Sequence, residues 1–141
     1  MSKSISPGVA RGEPLVLQEP LSLWGGVDPE TGDIVEPAHP QHGENVAGRV
    51  LLMPHGRGSS SSSSVLAELL RRGVGPAAIV LREPDSILAI GALVASELYG
   101  SVCPIVVTDT DPGPGTWVVD GDRATVRGEG VQISRSKSDI E

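Results

Sequence analysis

Apolar residues fall in short runs cut by glycine, proline and aspartate, and the spacing within the runs changes twice along the chain. From Ser4 to about Gly48 the runs are brief. Leu15-Val16-Leu17 predicts a strand ended by Glu19-Pro20, and Ile34-Val35 a shorter one. Turn formers as dense as those of Gly25-Gly26-Val27-Asp28-Pro29-Glu30-Thr31-Gly32-Asp33 join β-strands, and Pro37 to Asn45 reads as a surface loop. The middle is different. Val50-Leu51-Leu52-Met53, ended by Pro54, is a continuous apolar run of the kind found in strands covered on both faces. Val65, Leu66, Leu69 and Leu70 then recur at helical spacing, with Arg71-Arg72 in the last turn and Gly73 as the stop. Ala77 to Leu81 predicts the next strand. Pro84, favoured at a first helical position, opens a helix to Tyr99 that is apolar nearly all round and so predicted to be buried on several sides. Ile105-Val106-Val107 predicts a third strand, and strand-helix-strand-helix-strand implies parallel pairing with right-handed crossovers. The last stretch returns to β: Thr116 to Val119 and Ala124 to Arg127 flank Asp120-Gly121, a hairpin signal. Residues 1–128 thus read as a single mixed α/β domain, and 129–141, which lose all periodicity, as a flexible C-terminal tail.

Composition narrows the function classes. The chain has 141 residues, long enough to form a core without disulfides or metal. Eleven Lys and Arg against 18 Asp and Glu give a net charge of −7, which argues against a nucleic-acid surface or a polybasic membrane patch. No run reaches the length of a membrane span, and the N-terminal residues lack a signal-peptide core, so a cytoplasmic location is expected. A single cysteine, Cys103, excludes an internal disulfide and any multi-cysteine metal or cluster site built by this chain alone. Its place before Pro104 at a strand start reads as a small buried apolar group.

The segment from Pro54 to Ser64 carries the candidate chemistry. Pro54-His55-Gly56-Arg57-Gly58 and six consecutive serines, Ser59 to Ser64, lie between a buried strand and a helix. In a parallel α/β unit that is the carboxyl end of a strand, where ligands bind. Gly56 and Gly58 allow the backbone to approach a ligand closely. The helix that follows begins with free N–H groups and the positive end of its dipole, which favour an anion. A flexible serine linker and a simple N-cap with spare hydroxyls are the plainer readings. No Gly-Lys-Ser/Thr follows, so this is not a Walker loop, and the dinucleotide fingerprint fails too. A small carboxylate or phosphate at a helix start is what the residues themselves indicate.

Gly56-Arg57-Gly58-Ser59-Ser60-Ser61-Ser62-Ser63-Ser64, with Leu23-Trp24-Gly25-Gly26-Val27-Asp28-Pro29-Glu30-Thr31-Gly32, resembles the small, swivelling-domain subunit of aconitase X, from about Ile5 to Arg127. The resemblance implies a swivelling β/β/α fold, barrel-like around a parallel βαβαβ core. It also implies a hydro-lyase (dehydratase) subunit that is inactive without a large subunit carrying an iron–sulfur cluster. In the related aconitase and isopropylmalate isomerase a Gly-x-Gly-Ser-Ser-Arg loop faces the shared active site. By that match Ser59 falls on the catalytic base, with Gly58, Ser60, Ser61 and Arg57 as substrate-binding residues. Ser61 stands where those enzymes have an arginine that holds a substrate carboxylate, so a different substrate is implied. Two substrates belong to the family, cis-3-hydroxy-L-proline in bacteria and mevalonate 5-phosphate in archaea. Nine Arg against two Lys and Ser61-Ser62-Ser63 lean toward the first.

A serine hydroxyl is a weak base near neutral pH and must act as an alkoxide stabilised by nearby donors and positive potential. Other residues are weaker candidates. Trp24, Gly25, Gly26 and Asp28 belong to the second motif and are candidates for a cleft or subunit interface, against plain turn chemistry. His55 adjoins the loop and is a candidate for orienting substrate or partner; ordinary loop packing competes. His39 and His42 have metal-like spacing but no acidic or cysteine partner and read as surface residues, and no metal site is expected in this chain. From another class, the chain could be a non-catalytic anion-binding swivel module, or a phosphocarrier using His55.

Overall fold

The computed structural model describes residues 2–56 and 60–129. Its eight strands are β1 (Lys3–Ser6), β2 (Val9–Gly12), β3 (Pro14–Val16), β4 (Val50–Met53), β5 (Ala78–Leu81), β6 (Ile105–Val107), β7 (Trp117–Asp120) and β8 (Thr125–Gly128). The helices are α1 (Leu23–Gly26), α2 (Ser62–Arg72) and α3 (Ser86–Tyr99). A five-stranded sheet runs β1-β6-β5-β4-β3, parallel except for β1, and a three-stranded antiparallel sheet runs β2-β7-β8.

Strand alternation builds two cores. Leu51 and Met53 of β4, Ile79 and Leu81 of β5 and Ile105 of β6 face the helices with Leu66, Leu69 and Leu88. Their neighbours Val50, Ala78, Val80 and Val106 face the other way, against Trp117, Val119 and Val126 of the small sheet. The continuous apolar runs follow from that geometry, since each central strand is covered by helices on one face and by a second sheet on the other. Helices, large sheet and small sheet make the three layers of the β/β/α fold that the resemblance implies.

α2 stops at Gly73 as the sequence indicates, and α3 ends the same way at Gly100: Gly73 (φ 75°) and Gly100 (φ 70°) take the left-handed conformation and donate back to the last turns. Three features differ from the sequence reading. α3 does not open at Pro84 but at Ser86, with Asp85 as its N-cap; the Asp85 side chain accepts from Leu88 N–H (3.0 Å). The apolar circumference of α3 is not buried on several sides. Leu88, Gly91, Ala92 and Ala95 form the buried stripe, whereas Ile90, Leu93 (59% exposed) and Leu98 face outward, because α2 is the helix it packs beside. Next to that outward face, a groove of about 470 Å³ runs between α3 and the β1–β2 bend, lined by Ile5, Pro7, Ala89, Leu93 and Val102. Finally, Ile34 makes a single bridge to Val27 and no strand.

Glu129 does not hang free as tail: its N–H donates to Thr116 C=O (2.8 Å) and its carboxylate pairs with Arg11. The tail reading for 130–141 lies outside the described residues.

On the exposed side of α2, Glu68 accepts from Arg71 (2.8 and 2.7 Å) and Arg72 (2.6 Å), one turn on. The Arg71 bonds first and the Arg72 bond second pull its carboxyl from 4.5 to about 2. A carboxyl more acidic in the folded than in the unfolded chain contributes stability above pH 4.5 and loses it as pH falls toward 2. Glu68→Gln is therefore expected to be slightly less stable than wild type above pH 4.5, by an amount that solvent and salt screening keep small, and to converge on wild type as the pH falls toward 2. Thermal melts of both proteins across that window test this.

Candidate functional site

The serine segment leaves the sheet at the carboxyl end of β4, next to the end of β5. Arg82, just past β5, donates its N–H to Pro54 C=O (3.0 Å), so the chain segments following the two strands start side by side. Arg82 also braces the neighbouring end of β6, donating from Nη1 to Thr108 C=O (2.7 Å) and Thr110 C=O (3.1 Å).

Arg57, Gly58 and Ser59 lie outside the described residues. What flanks them is defined. On the near side, exposed His55 donates from Nδ1 to Gly56 C=O (2.8 Å), which fixes the proton on that nitrogen and uses the ring to hold the loop. On the far side, Ser60 and Ser61 enter α2: Ser60 C=O accepts from Ser63 N–H (3.2 Å) and from Ser63 Oγ–H (2.9 Å), and Ser61 C=O from Ser64 and Val65 N–H. Ser62 to Ser64 are therefore the first turn of α2 and not loop, which starts the helix three residues earlier than the apolar spacing indicates. The positive end of its dipole faces back toward the loop.

Among residues the sequence left unassigned, Ser62 is nearly fully buried, and its Oγ accepts from Trp24 N–H (3.2 Å). That bond joins the Leu23–Gly26 turn to the serine segment, so the two motifs read in the sequence meet in space. The turn is kinked, with Trp24 extended and Gly25 at φ 81°, and it holds the indole of Trp24 59% exposed beside α2. Gly26 is held by packing, its C=O accepting from Val35 and Glu36 N–H.

Asp28 is a turn residue. Its Oδ1 accepts from Glu30 N–H (2.9 Å) and its C=O from Thr31 and Gly32 N–H, which leaves the carboxylate tied within its own loop. His39, expected at the surface, is only 5% exposed: Nδ1 accepts from Gln41 N–H (3.0 Å) and Nε2 donates to Glu19 C=O (3.0 Å). Both ring nitrogens are occupied in closing the loop, which is structural work. His42 is exposed as expected.

The second residue the sequence did not mark is Asp85. A Cβ added at Gly56 would land on Asp85 Oδ2 and stand 2.7 Å from its Cγ, so the carboxylate that caps α3 also closes on the start of the serine loop. Further along α3, Gly91 lies under the exit of the loop, where an added Cβ would meet Ser63 O at 2.7 Å and Leu66 Cβ at 3.1 Å. Both are contacts between segments about thirty residues apart, with no local signature in the sequence.

An iron–sulfur cluster has no ligand set among the described residues. Among the described residues no three His, Cys, Asp or Glu side chains converge as metal ligands. Cys103 is buried, as expected from sequence, and burial pushes its thiol up to about 12, so it offers no thiolate. No helix among the described residues is long and apolar enough to cross a membrane.

The family model described as the aconitase X swivel domain matches residues 1–134. Over 103 residues the chain is 50% identical to the cis-3-hydroxy-L-proline dehydratase of Pseudomonas aeruginosa; the match covers 73% of this chain and 18% of that protein. It is 39% identical over 122 residues to the phosphomevalonate dehydratase small subunit of Methanothrix thermoacetophila, covering 86% of this chain and 88% of the relative. The crystal structure of Thermococcus kodakaraensis aconitase X in its holo-form superposes with a TM-score of 0.78 at 32% identity, over 89% of this chain and 94% of the matched one.

Proposed function

Since the chain belongs to the aconitase X swivel-domain family, we propose that it is the small subunit of an aconitase X-type hydro-lyase and that it supplies Ser59 as the proton acceptor in dehydration of cis-3-hydroxy-L-proline. The observation that most supports this reading is the placement of the serine segment. It emerges at the carboxyl end of a central parallel strand, starts an eleven-residue helix and is tied through Ser62 to the second family motif. In this reading a substrate carboxylate lies toward the N-terminus of α2, held by backbone N–H groups, serine hydroxyls and Arg57. The same positive potential lowers the cost of ionising a serine hydroxyl, which then takes the proton from the carbon next to the carboxylate. Ser61, standing in place of an arginine, suits a substrate with a single carboxylate, and cis-3-hydroxy-L-proline has one. Identity is also higher to the hydroxyproline enzyme of Pseudomonas, although the chain spans about a fifth of that protein's length. The rest of the active site, including any iron–sulfur group, belongs in this reading to a large partner subunit.

A second reading, the small subunit of a mevalonate 5-phosphate dehydratase, is favoured by the match to the Methanothrix protein over most of both chains. A helix start accommodates phosphate as readily as carboxylate.

The two are separated by assembling the chain with its large partner and measuring consumption of each substrate. We expect cis-3-hydroxy-L-proline to be dehydrated by the pair and by neither chain alone. Turnover of mevalonate 5-phosphate instead selects the second reading. Failure of the assembled pair on both substrates, or turnover by this chain alone, overturns the proposal.

A further inference from the structure

We propose that Asp85 is a positioning residue for the serine loop: its Oδ1 caps α3 while its Oδ2 forms the wall on which Gly56 closes, so that one carboxylate sets both the start of the helix and the path by which the loop leaves β4. The inference rests on the functional reading above for its effect on turnover, though not for its effect on the loop itself.

The geometry has three parts. Oδ1 of Asp85 is engaged by Leu88 N–H at 3.0 Å, which fixes the side-chain rotamer and leaves Oδ2 directed at the loop. Oδ2 lies where any side chain at 56 would begin. Gly56 does not carry a positive φ, so glycine is required there for space and not for backbone freedom. The wall cannot move easily, because Asp85 C=O also accepts from Ala89 N–H (3.2 Å) and the adjoining Arg82 N–H is bonded to Pro54 C=O (3.0 Å). One turn and a half later Gly91 of the same helix packs under Ser63 C=O. The entry to the serine segment at Gly56 and its exit at Ser63 are thus both set by α3. Misplacement of a reacting group by about 1 Å can cost on the order of a hundredfold in rate.

A plain capping residue would give the same fold, so the test must separate cap from wall. Asp85→Ser does this: a serine hydroxyl still accepts from Leu88 N–H but has no second oxygen to face Gly56. In the full chain we expect the melting temperature to stay within about 3 °C of wild type. Amide exchange in the peptide spanning 54–62 should accelerate about tenfold, while the amides of α3 stay protected. In the assembled two-subunit enzyme kcat should fall about tenfold with KM within about twofold, as expected when positioning alone is lost. Gly56→Ala should be worse than Asp85→Ser, and Gly56→Ala/Asp85→Ser should regain at least part of the loss because the added methyl enters the vacated space.

Unchanged exchange over 54–62 in Asp85→Ser, or a double variant no better than Gly56→Ala, overturns the proposal. Ser59→Ala distinguishes the two levels. If that variant keeps full activity while Asp85→Ser loosens the loop, the functional reading fails and the positioning role stands. If Ser59→Ala is inactive and the loop ignores Asp85, the reverse holds.

Discussion

Replacing Ser59 by alanine is expected to reduce turnover of the assembled enzyme by about 10³-fold, the range lost with a general base, while the chain still folds and still binds its large partner. The argument is chemical. Serine to alanine removes a single oxygen, and the helix start that follows residue 59 is held by Ser60 and Ser61 carbonyls. A merely anion-binding loop would respond differently, losing one of several hydroxyls and backbone donors and with it a few-fold in affinity. Circular dichroism and co-purification establish folding and assembly; initial rates at saturating substrate then separate the outcomes. A variant that keeps most of its kcat and only raises KM would identify a binding role for Ser59 and refute a basic one.

A clear loss of stability is expected from Gly91→Ala. The new methyl would stand 2.7 Å from Ser63 O and 3.1 Å from Leu66 Cβ, and neither is the end of a flexible side chain. Relief requires α2 and α3 to separate, at the cost typical of an overpacked core, about 1–3 kcal/mol. For a domain of this size that lowers the melting temperature by roughly 4–10 °C. Because the obstructed carbonyl belongs to the first turn of α2, the strain also reaches the serine segment, and kcat should fall with stability. Leu93→Ala, on the outward side of the same helix, is the control and should change stability by less than about 0.5 kcal/mol, as for other exposed positions. Calorimetry on the two variants tests the contrast. Equal melting temperatures for Gly91→Ala and wild type would show that the helices can part there without cost.

Much of the architecture was legible because it is written in local pattern. The runs at Val50–Met53, Ala77–Leu81 and Ile105–Val107 indicate the parallel strands, and Gly73 the stop of α2. What failed were features decided between distant residues. Strands β1 and β2 carry little apolar signal; Lys3–Ser6 is strand because it pairs with β6, and Val9–Gly12 because it pairs with β7. The Asp120-Gly121 pair marks a hairpin, but the turn takes four residues and places Ala124 at φ 57°. Gly121 serves the bend above it, its N–H donating to Gly8 C=O (2.6 Å), with no room for a Cβ beside Pro7. The outward apolar face of α3 carries the sequence pattern of a buried one because hydrophobicity reports a preference, not the presence of a neighbour. At the site, the strand-loop-helix placement was readable, whereas the anchors Ser62, Asp85 and Gly91 were not. Each acts through a contact to a segment roughly thirty or more residues away, and a serine among six or a glycine in an apolar helix carries no mark of it.

The two tryptophans sit in opposite environments. Trp117 is enclosed in the small-sheet core with its Nε1–H donated to Gly113 C=O (2.7 Å), whereas Trp24 stands open to water with its backbone fastened to Ser62. The chain therefore carries two intrinsic fluorophores of separable colour and quencher access. The blue-shifted, shielded emission reports on the integrity of the β layers, and the red-shifted, quenchable emission on events at the mouth of the serine segment, with no dye or engineered label required.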